Sequence, residues 1–333
     1  MKKLYLLMLA VALLATPLVQ AQNKPVKQKI TNRYSMSLKL QEDGTYRLAA
    51  SEDRYKFLDL DTIPDLLTVY EPRPIAAGKH YKHCVTEEFV YKSYPTYDLK
   101  LEVDRAVTTE PAPFVVYIHG GGWSSGDKIA FRVNSQYIAM QKGITGIRIS
   151  YTLAGQPNAS IEVTLEDIRD AVKWVQEHAE ELNIDPTRFG FCGASAGGHL
   201  SAVSALTIKG AKAMVGHAGV YDFETANDEV LRKSPSQRRA YFHKLDPKVL
   251  KRNSPVNMIP EKNIPASLLI CGTGDALVDY TQSVSYAEAL KAKGAEVELK
   301  VYPGYDHGVA GKRSDKGQEI LRLTADFFAK HLK

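Results

Sequence analysis

The chain has 333 residues, 44% hydrophobic and 24% charged, with 43 Lys and Arg against 38 Asp and Glu for a formal net charge of +5. That hydrophobic content allows a sizeable core, and so small a net charge gives no basis for a nucleic-acid partner. Three cysteines, Cys84, Cys192 and Cys271, leave at least one thiol unpaired and make no disulfide framework.

In chain order, Lys2 and Lys3 form a basic start, residues 4–14 an apolar run, and Val19-Gln20-Ala21 a small-residue cleavage pattern. The apolar run is too short for a bilayer, which takes about 20 residues, so no stable membrane insertion is expected. Residues 1–21 are predicted to be a signal peptide, with export to a bacterial periplasm or the extracellular space. No Cys stands at the boundary to carry a lipid. Cleavage takes 43 basic residues to 41 against 38 acidic, a net of about +3.

Residues 22–85 read as an accessory segment. Alternation over 35–40, a turn signal at Gln41-Glu42-Asp43-Gly44 and renewed alternation over 45–48 predict a hairpin. Pro64 opens a short helix, and Glu71-Pro72-Arg73-Pro74 reads as loop.

From residue 86 to 333 the order becomes strand–helix. Strands are predicted at 86–92, 98–104, 113–118, 144–150, 187–192, 212–217, 266–271 and 296–302. Cys192 and Cys271 fall inside two of them and read as small buried hydrophobes. A helix over 164–182 is predicted to be capped by Thr164 with Asp167 three residues on. Others follow at 199–206 and at 280–293, the last stopped by Gly294. Alternating strands and helices imply a mostly parallel twisted sheet of about eight strands, flanked by helices on both faces.

The chemistry concentrates at strand ends. Gly193-Ala194-Ser195-Ala196-Gly197 follows one strand and opens a helix, the context of a nucleophile elbow. The helix start brings positive dipole character to the charge that develops on a substrate oxygen. His119-Gly120-Gly121-Gly122-Trp123 follows another strand, and its glycines can turn bare N–H groups toward a pocket. With the N–H of Ala196 these can donate to an oxyanion. A phosphate loop is the competing use, but G-x-x-x-x-G-K-[ST] is missing.

A base is expected after an acid in the order Ser, Asp or Glu, His. His307 lies in a loop after the last strand, whereas His331 sits three residues from the C-terminus and reads as solvated. His119 reads as a loop-positioning residue. For the acid, Asp275 at the end of the 266–271 strand is preferred over Asp279, which reads as the start of the next helix. Asp306 is badly placed to hold the ring of its own neighbour. No metal and no cofactor is expected.

With these residues in place, the chain resembles the hormone-sensitive-lipase-like esterases and the acetyl and feruloyl esterases of polysaccharide-degrading bacteria, over residues 86–333. The likeness rests on residues 119–128, 194–200, 275–279 and 302–308. It implies an α/β-hydrolase fold, a Ser195–His307–Asp275 triad, and oxyanion donors from Gly121 and Gly122 together with Ala196. Ala194 stands where an Asp is common, and residues 22–85 lie outside the usual catalytic unit.

Residues 230–254 carry Arg232, Lys233, Arg238, Arg239, Lys244, Lys248, Lys251 and Arg252 against one acid, Asp246. Such a stretch is either a solvated surface or a rim that attracts an anionic polymer, with Arg238 and Arg239 as the possible substrate rim. The expected activity is hydrolysis of ester substituents on plant polysaccharides. Methyl esters of pectic uronates stand narrowly ahead of acetyl or feruloyl esters. The alternatives are a general small-ester carboxylesterase, a serine peptidase of the prolyl-oligopeptidase type, whose propeller the N-terminal segment is too short to provide, and a catalytically dead binding protein.

Overall fold

A computed structural model describes residues 32–40, 46–48 and 81–333, apart from 107, 228–229, 232–235, 312–313 and 315, with side chains from residue 86 onward. The expected signal peptide, the turn at Gln41 to Gly44, the helix opened by Pro64 and the loop at Glu71 to Pro74 lie outside these residues, as do Arg232 and Lys233.

Ten strands form one sheet: β1 (Asn32–Leu40), β2 (Tyr46–Leu48), β3 (Tyr81–Ser93), β4 (Asp98–Asp104), β5 (Ala112–Ile118), β6 (Thr145–Ile149), β7 (Ile184–Ala194), β8 (Ala211–His217), β9 (Ala266–Gly272) and β10 (Val297–Tyr302). Their spatial order is β10-β9-β8-β7-β5-β6-β4-β3-β1-β2. The six strands from β10 to β6 run parallel, and β4, β3, β1 and β2 continue the sheet antiparallel. The β1–β2 pairing joins Leu38 to Leu48, so this hairpin extends the edge of the same sheet.

β5 is apolar and buried at every position because both faces of the sheet are covered there. Phe114, Val116 and Ile118 of β5 enter one core with Ile168 of α2 (Ile161–Glu177), Leu200 of α4 (Ala196–Thr207) and Tyr286 of α7 (Thr281–Ala292). Val115 and Tyr117 enter the opposite core with Ile138 of α1 (Arg132–Lys142) and Phe328 of α8 (Gly317–Leu332). Period-two alternation sorts each strand between two helix layers. Cys192 and Cys271 are free, buried thiols. Among the described residues no helix is long and apolar enough to cross a membrane.

Two local expectations change. The helix expected over 164–182 begins at Ile161, where Ser160 in extended conformation accepts from the N–H of Val163 at 3.3 Å; it ends at Glu177, and a separate turn, α3 (Ala179–Leu182), follows. Thr164 and Asp167 are not caps. Thr164 Oγ1 donates to the carbonyl of Thr152 at 2.6 Å, and Asp167 accepts from the N–H of Thr152 at 3.0 Å and from Tyr94 Oη at 2.7 Å. Their polar groups fasten α2 to the loop after β6 instead of closing its own first turn. Arg148, in the middle of β6, is fully buried, which no pattern in its neighbours foretells: its Nε lies 2.7 Å from Asp104 Oδ2, and Glu102 completes the cluster.

Candidate active site

The triad residues and the glycines of the oxyanion loop lie in loops or turns at the carboxyl ends of the parallel strands, where an open α/β sheet leaves room for a ligand; Ala196 opens α4 (Ala196–Thr207), and Arg238 and Arg239 lie on α5 (Ser236–Tyr241). Ser195 stands between β7 and α4 with φ 56° and ψ −123°, a left-handed conformation that side chains rarely adopt. Its N–H donates to the carbonyl of His217 at 2.8 Å, which anchors the turn to β8. The turn must pack closely on β5: a Cβ at Gly197 would lie 2.0 Å from the carbonyl oxygen of Ile118. Glycine is thus required there by a backbone contact.

The loop after β5 is folded tightly over this turn. Gly121 accepts at its carbonyl from the N–H groups of Ser124 at 3.2 Å and Ser125 at 3.1 Å. Gly121, Gly122 and Trp123 all have positive φ, at 116°, 58° and 58°. Among the described residues no acceptor takes the N–H of Gly121 or Gly122. Ala196, as the first residue of α4, has no intrahelical acceptor for its own N–H. Three candidate oxyanion donors thus remain available.

His119 is buried, its Nδ1 donating to the carbonyl of Gly120 at 2.7 Å and its ring stacked on Tyr151 at 4.3 Å. Tyr151 Oη returns a 2.8 Å hydrogen bond to the His119 carbonyl. Burial lowers the imidazole pKa. These contacts hold the loop and engage the ring within it.

The acid and base come from adjacent loops. His307 Nδ1 lies 2.7 Å from Asp275 Oδ2, while Asp275 Oδ1 accepts from the N–H groups of Leu277 and Val278, each at 2.9 Å. The two loops are laced together by Thr273 N–H to the Tyr302 carbonyl at 3.0 Å and Gly274 N–H to the Tyr305 carbonyl at 2.8 Å. An oxygen acceptor at Nδ1 fixes the tautomer and leaves Nε2 as the basic nitrogen. Asp279 is occupied elsewhere, accepting from Thr281 N–H at 2.9 Å and Oγ1 at 2.7 Å, which keeps its pKa low. Asp306 accepts from the N–H of Gly308. His331 is less solvated than expected: its ring lies 4.4 Å from that of Phe327 because α8 packs that side inward.

His199 had no role in the sequence reading. Its Nδ1 accepts from Trp123 Nε1 at 3.3 Å, and its Nε2 donates to the Asn253 carbonyl at 2.8 Å. Burial pushes its pKa down to about 4, so it is neutral, with both nitrogens satisfied. Phe223 and Phe242 pack on Trp123 at 5.8 and 5.0 Å, closing an aromatic cluster between the oxyanion loop and the chain that leaves β8. The only sequence signal was the position of His199, one turn into the helix that follows Ser195.

The basic stretch divides. Arg252 pairs with Glu162, beside His243 at 2.9 Å. Arg239, Lys244, Lys248 and Lys251 are exposed. Arg238, on α5 (Ser236–Tyr241), turns inward and covers Gly122. A cavity of about 460 Å³ is bordered by Gly120, Phe131, Ala194, His217, His307 and Leu321. Among the described residues no group of three or more His, Cys, Asp or Glu is placed to hold a metal ion.

The family model described as BD-FAE matches residues 101–290. Esterase LipC of Mycobacterium tuberculosis is 26% identical over 275 residues, 74% of this chain and 66% of that one. Ethyl acetate hydrolase of Pseudomonas putida is 27% identical over 286 residues, 79% of this chain and 88% of that one. The native structure of esterase Est2 from Thermogutta terrifontis superposes with a TM-score of 0.63 at 26% identity, covering 74% of this chain and 92% of that one. With its sheet, elbow and flanking helices, the chain belongs to the BD-FAE family and is an α/β-hydrolase esterase of the hormone-sensitive-lipase-like type.

Proposed function

We propose that the chain is an exported serine carboxylesterase that removes ester substituents from plant polysaccharides, using Ser195, His307 and Asp275. The observation that carries the chemistry is the 2.7 Å contact between His307 Nδ1 and the buried Asp275, with His307 bordering the same cavity as Ala194, the residue before the strained Ser195. His307 Nε2 takes the Ser195 proton as Oγ attacks the ester carbonyl carbon, and Asp275 stabilises the imidazolium. The oxyanion is held by the N–H groups of Gly121, Gly122 and Ala196, each donor contributing about 3 kcal/mol in such sites. As the carbonyl re-forms, the C–O bond to the alcohol breaks and His307 returns the proton to the leaving oxygen. Water then repeats the sequence on the acyl-enzyme and releases the acid.

Export is supported by the basic, apolar and small-residue pattern of residues 1–21. Among substrates, methyl esters of pectic uronates come first, with acetyl and feruloyl esters behind them; support comes from the basic stretch over residues 230–254. A general small-ester carboxylesterase is the second reading. It is favoured by the relative named an ethyl acetate hydrolase and by Est2 structures bound to butyrate and propionate.

Purified wild type and Ser195→Ala are to be incubated with pectin and acetylated or feruloylated glycans, and methanol, acetate and ferulate measured. Wild type is expected to release one of the three, and Ser195→Ala none. Hydrolysis of p-nitrophenyl acetate with no release from any glycan would establish the second reading instead.

A further inference from the structure

Building on the carboxylesterase reading above, we propose that Arg238 forms a carboxylate-binding subsite at the oxyanion loop, selecting esters whose acid part carries a second, ionised carboxyl group.

The placement of the guanidinium is specific. A Cβ built on Gly122 would lie 2.3 Å from Arg238 Nη2 and 2.7 Å from Cζ, so the group rests directly on the backbone of a candidate oxyanion donor. Nη1 donates to the Val230 carbonyl at 3.1 Å and Nη2 to Ser124 Oγ at 3.3 Å. These contacts use one N–H on each terminal nitrogen and leave the other. Nε is buried with no partner. Among the described residues no carboxylate pairs with Arg238, although Arg252 on the same insertion has Glu162.

A half-buried cation without a counter-charge carries a desolvation cost, and burial lowers its pKa accordingly. Loop anchoring alone needs no charge, since both recorded acceptors are neutral. A substrate carboxylate would supply the missing partner. The carbonyl oxygen of a bound ester is held by Gly122, so an acid part a few bonds long extends from the group that Arg238 covers. A uronate polymer presents such carboxylates on neighbouring sugars, as does the simpler half-ester of a dicarboxylic acid. Arg238 thereby differs from the other basic residues of the insertion. Its contact is directional and partly shielded, so added salt weakens it less than it weakens attraction to an exposed rim.

The test compares two methyl esters of five-carbon acids, monomethyl glutarate and methyl valerate, by acid release at constant pH 7. Wild type, Arg238→Gln, Arg238→Lys and Lys248→Gln are assayed at low and high salt. Arg238→Gln is expected to lower the ratio of kcat/KM for monomethyl glutarate over methyl valerate about tenfold, as loss of a charge-assisted hydrogen bond does. Arg238→Lys should recover part of the ratio. Lys248→Gln, the same charge change at an exposed position, should leave it unaltered, and the wild-type preference should persist in salt. An unchanged ratio in Arg238→Gln, even with both rates reduced, means that Arg238 only anchors the loop and overturns the proposal. Equal effects of Lys248→Gln, or loss of the preference in salt, overturn it in favour of a diffuse field. Failure of wild type on methyl valerate itself would sink the carboxylesterase reading as well, and is distinguished by that substrate alone.

Discussion

Replacing Asp275 by Asn separates orientation of the base from its mere presence. Asp275 Oδ1 accepts two backbone N–H groups, from Leu277 and Val278, while Oδ2 faces His307 Nδ1. An Asn side chain has one oxygen and one NH2 to distribute. Turning the NH2 toward Leu277 and Val278 would oppose two donors with a donor. The oxygen therefore stays on the backbone side, and the NH2 faces His307. Nδ1 must then become the acceptor, the ring proton moves to Nε2, and the base loses the lone pair that Ser195 needs. A serine triad forced into this tautomer loses about 10⁴ in kcat, or about 5 kcal/mol in activation free energy. Initial rates on p-nitrophenyl acetate at neutral pH measure the loss, with circular dichroism to confirm folding. Asp279→Ala is the comparison: it removes only the contacts to Thr281 and is expected to cost about 1 kcal/mol of stability. Asp275→Asn within tenfold of wild type, or Asp279→Ala the more damaging to turnover, would refute the assignment.

Two further outcomes follow from backbone and burial. Ser195→Gly should abolish turnover yet raise unfolding free energy by about 1 kcal/mol, because glycine relieves the left-handed strain while adding chain entropy to the unfolded state; Ser195→Ala keeps its Cβ and should show no such gain in urea titration. Burial holds His199 and His217 near pKa 4 against 6.5 in the unfolded chain. As pH falls from 6.5 toward 4 the unfolded state takes up protons that the folded state refuses, so stability falls by up to about 3 kcal/mol per group. Urea midpoints at pH 7, 5.5 and 4.5 should show this decline, and His217→Leu should remove one increment; a flat profile contradicts it.

The parallel strands were legible because burial on both faces turns them into apolar runs, and the elbow because glycine spacing is forced by the approach of Gly197 to β5. The acid was harder. Asp275 and Asp279 lie four residues apart, and only the folded loop distinguishes them: one reaches His307, while the other turns to Thr281. The helix start was hard for a similar reason: Thr164 fits a capping pattern, yet the cap is Ser160, whose backbone is extended. Arg148, and the inward turn of Arg238, were opaque for a different reason. Each occupies a site created by distant segments, Asp104 in one case and Gly122 in the other, and a charge count cannot show which cation turns inward.

His199 binds together three stretches of chain that are far apart in sequence, at Trp123, at its own helix and at Asn253. Lifting the insertion away would break the bond to Asn253 and the packing of Phe223 and Phe242 on Trp123, next to the helix that follows Ser195. A shift of the insertion would therefore be felt beside the nucleophile through this one imidazole.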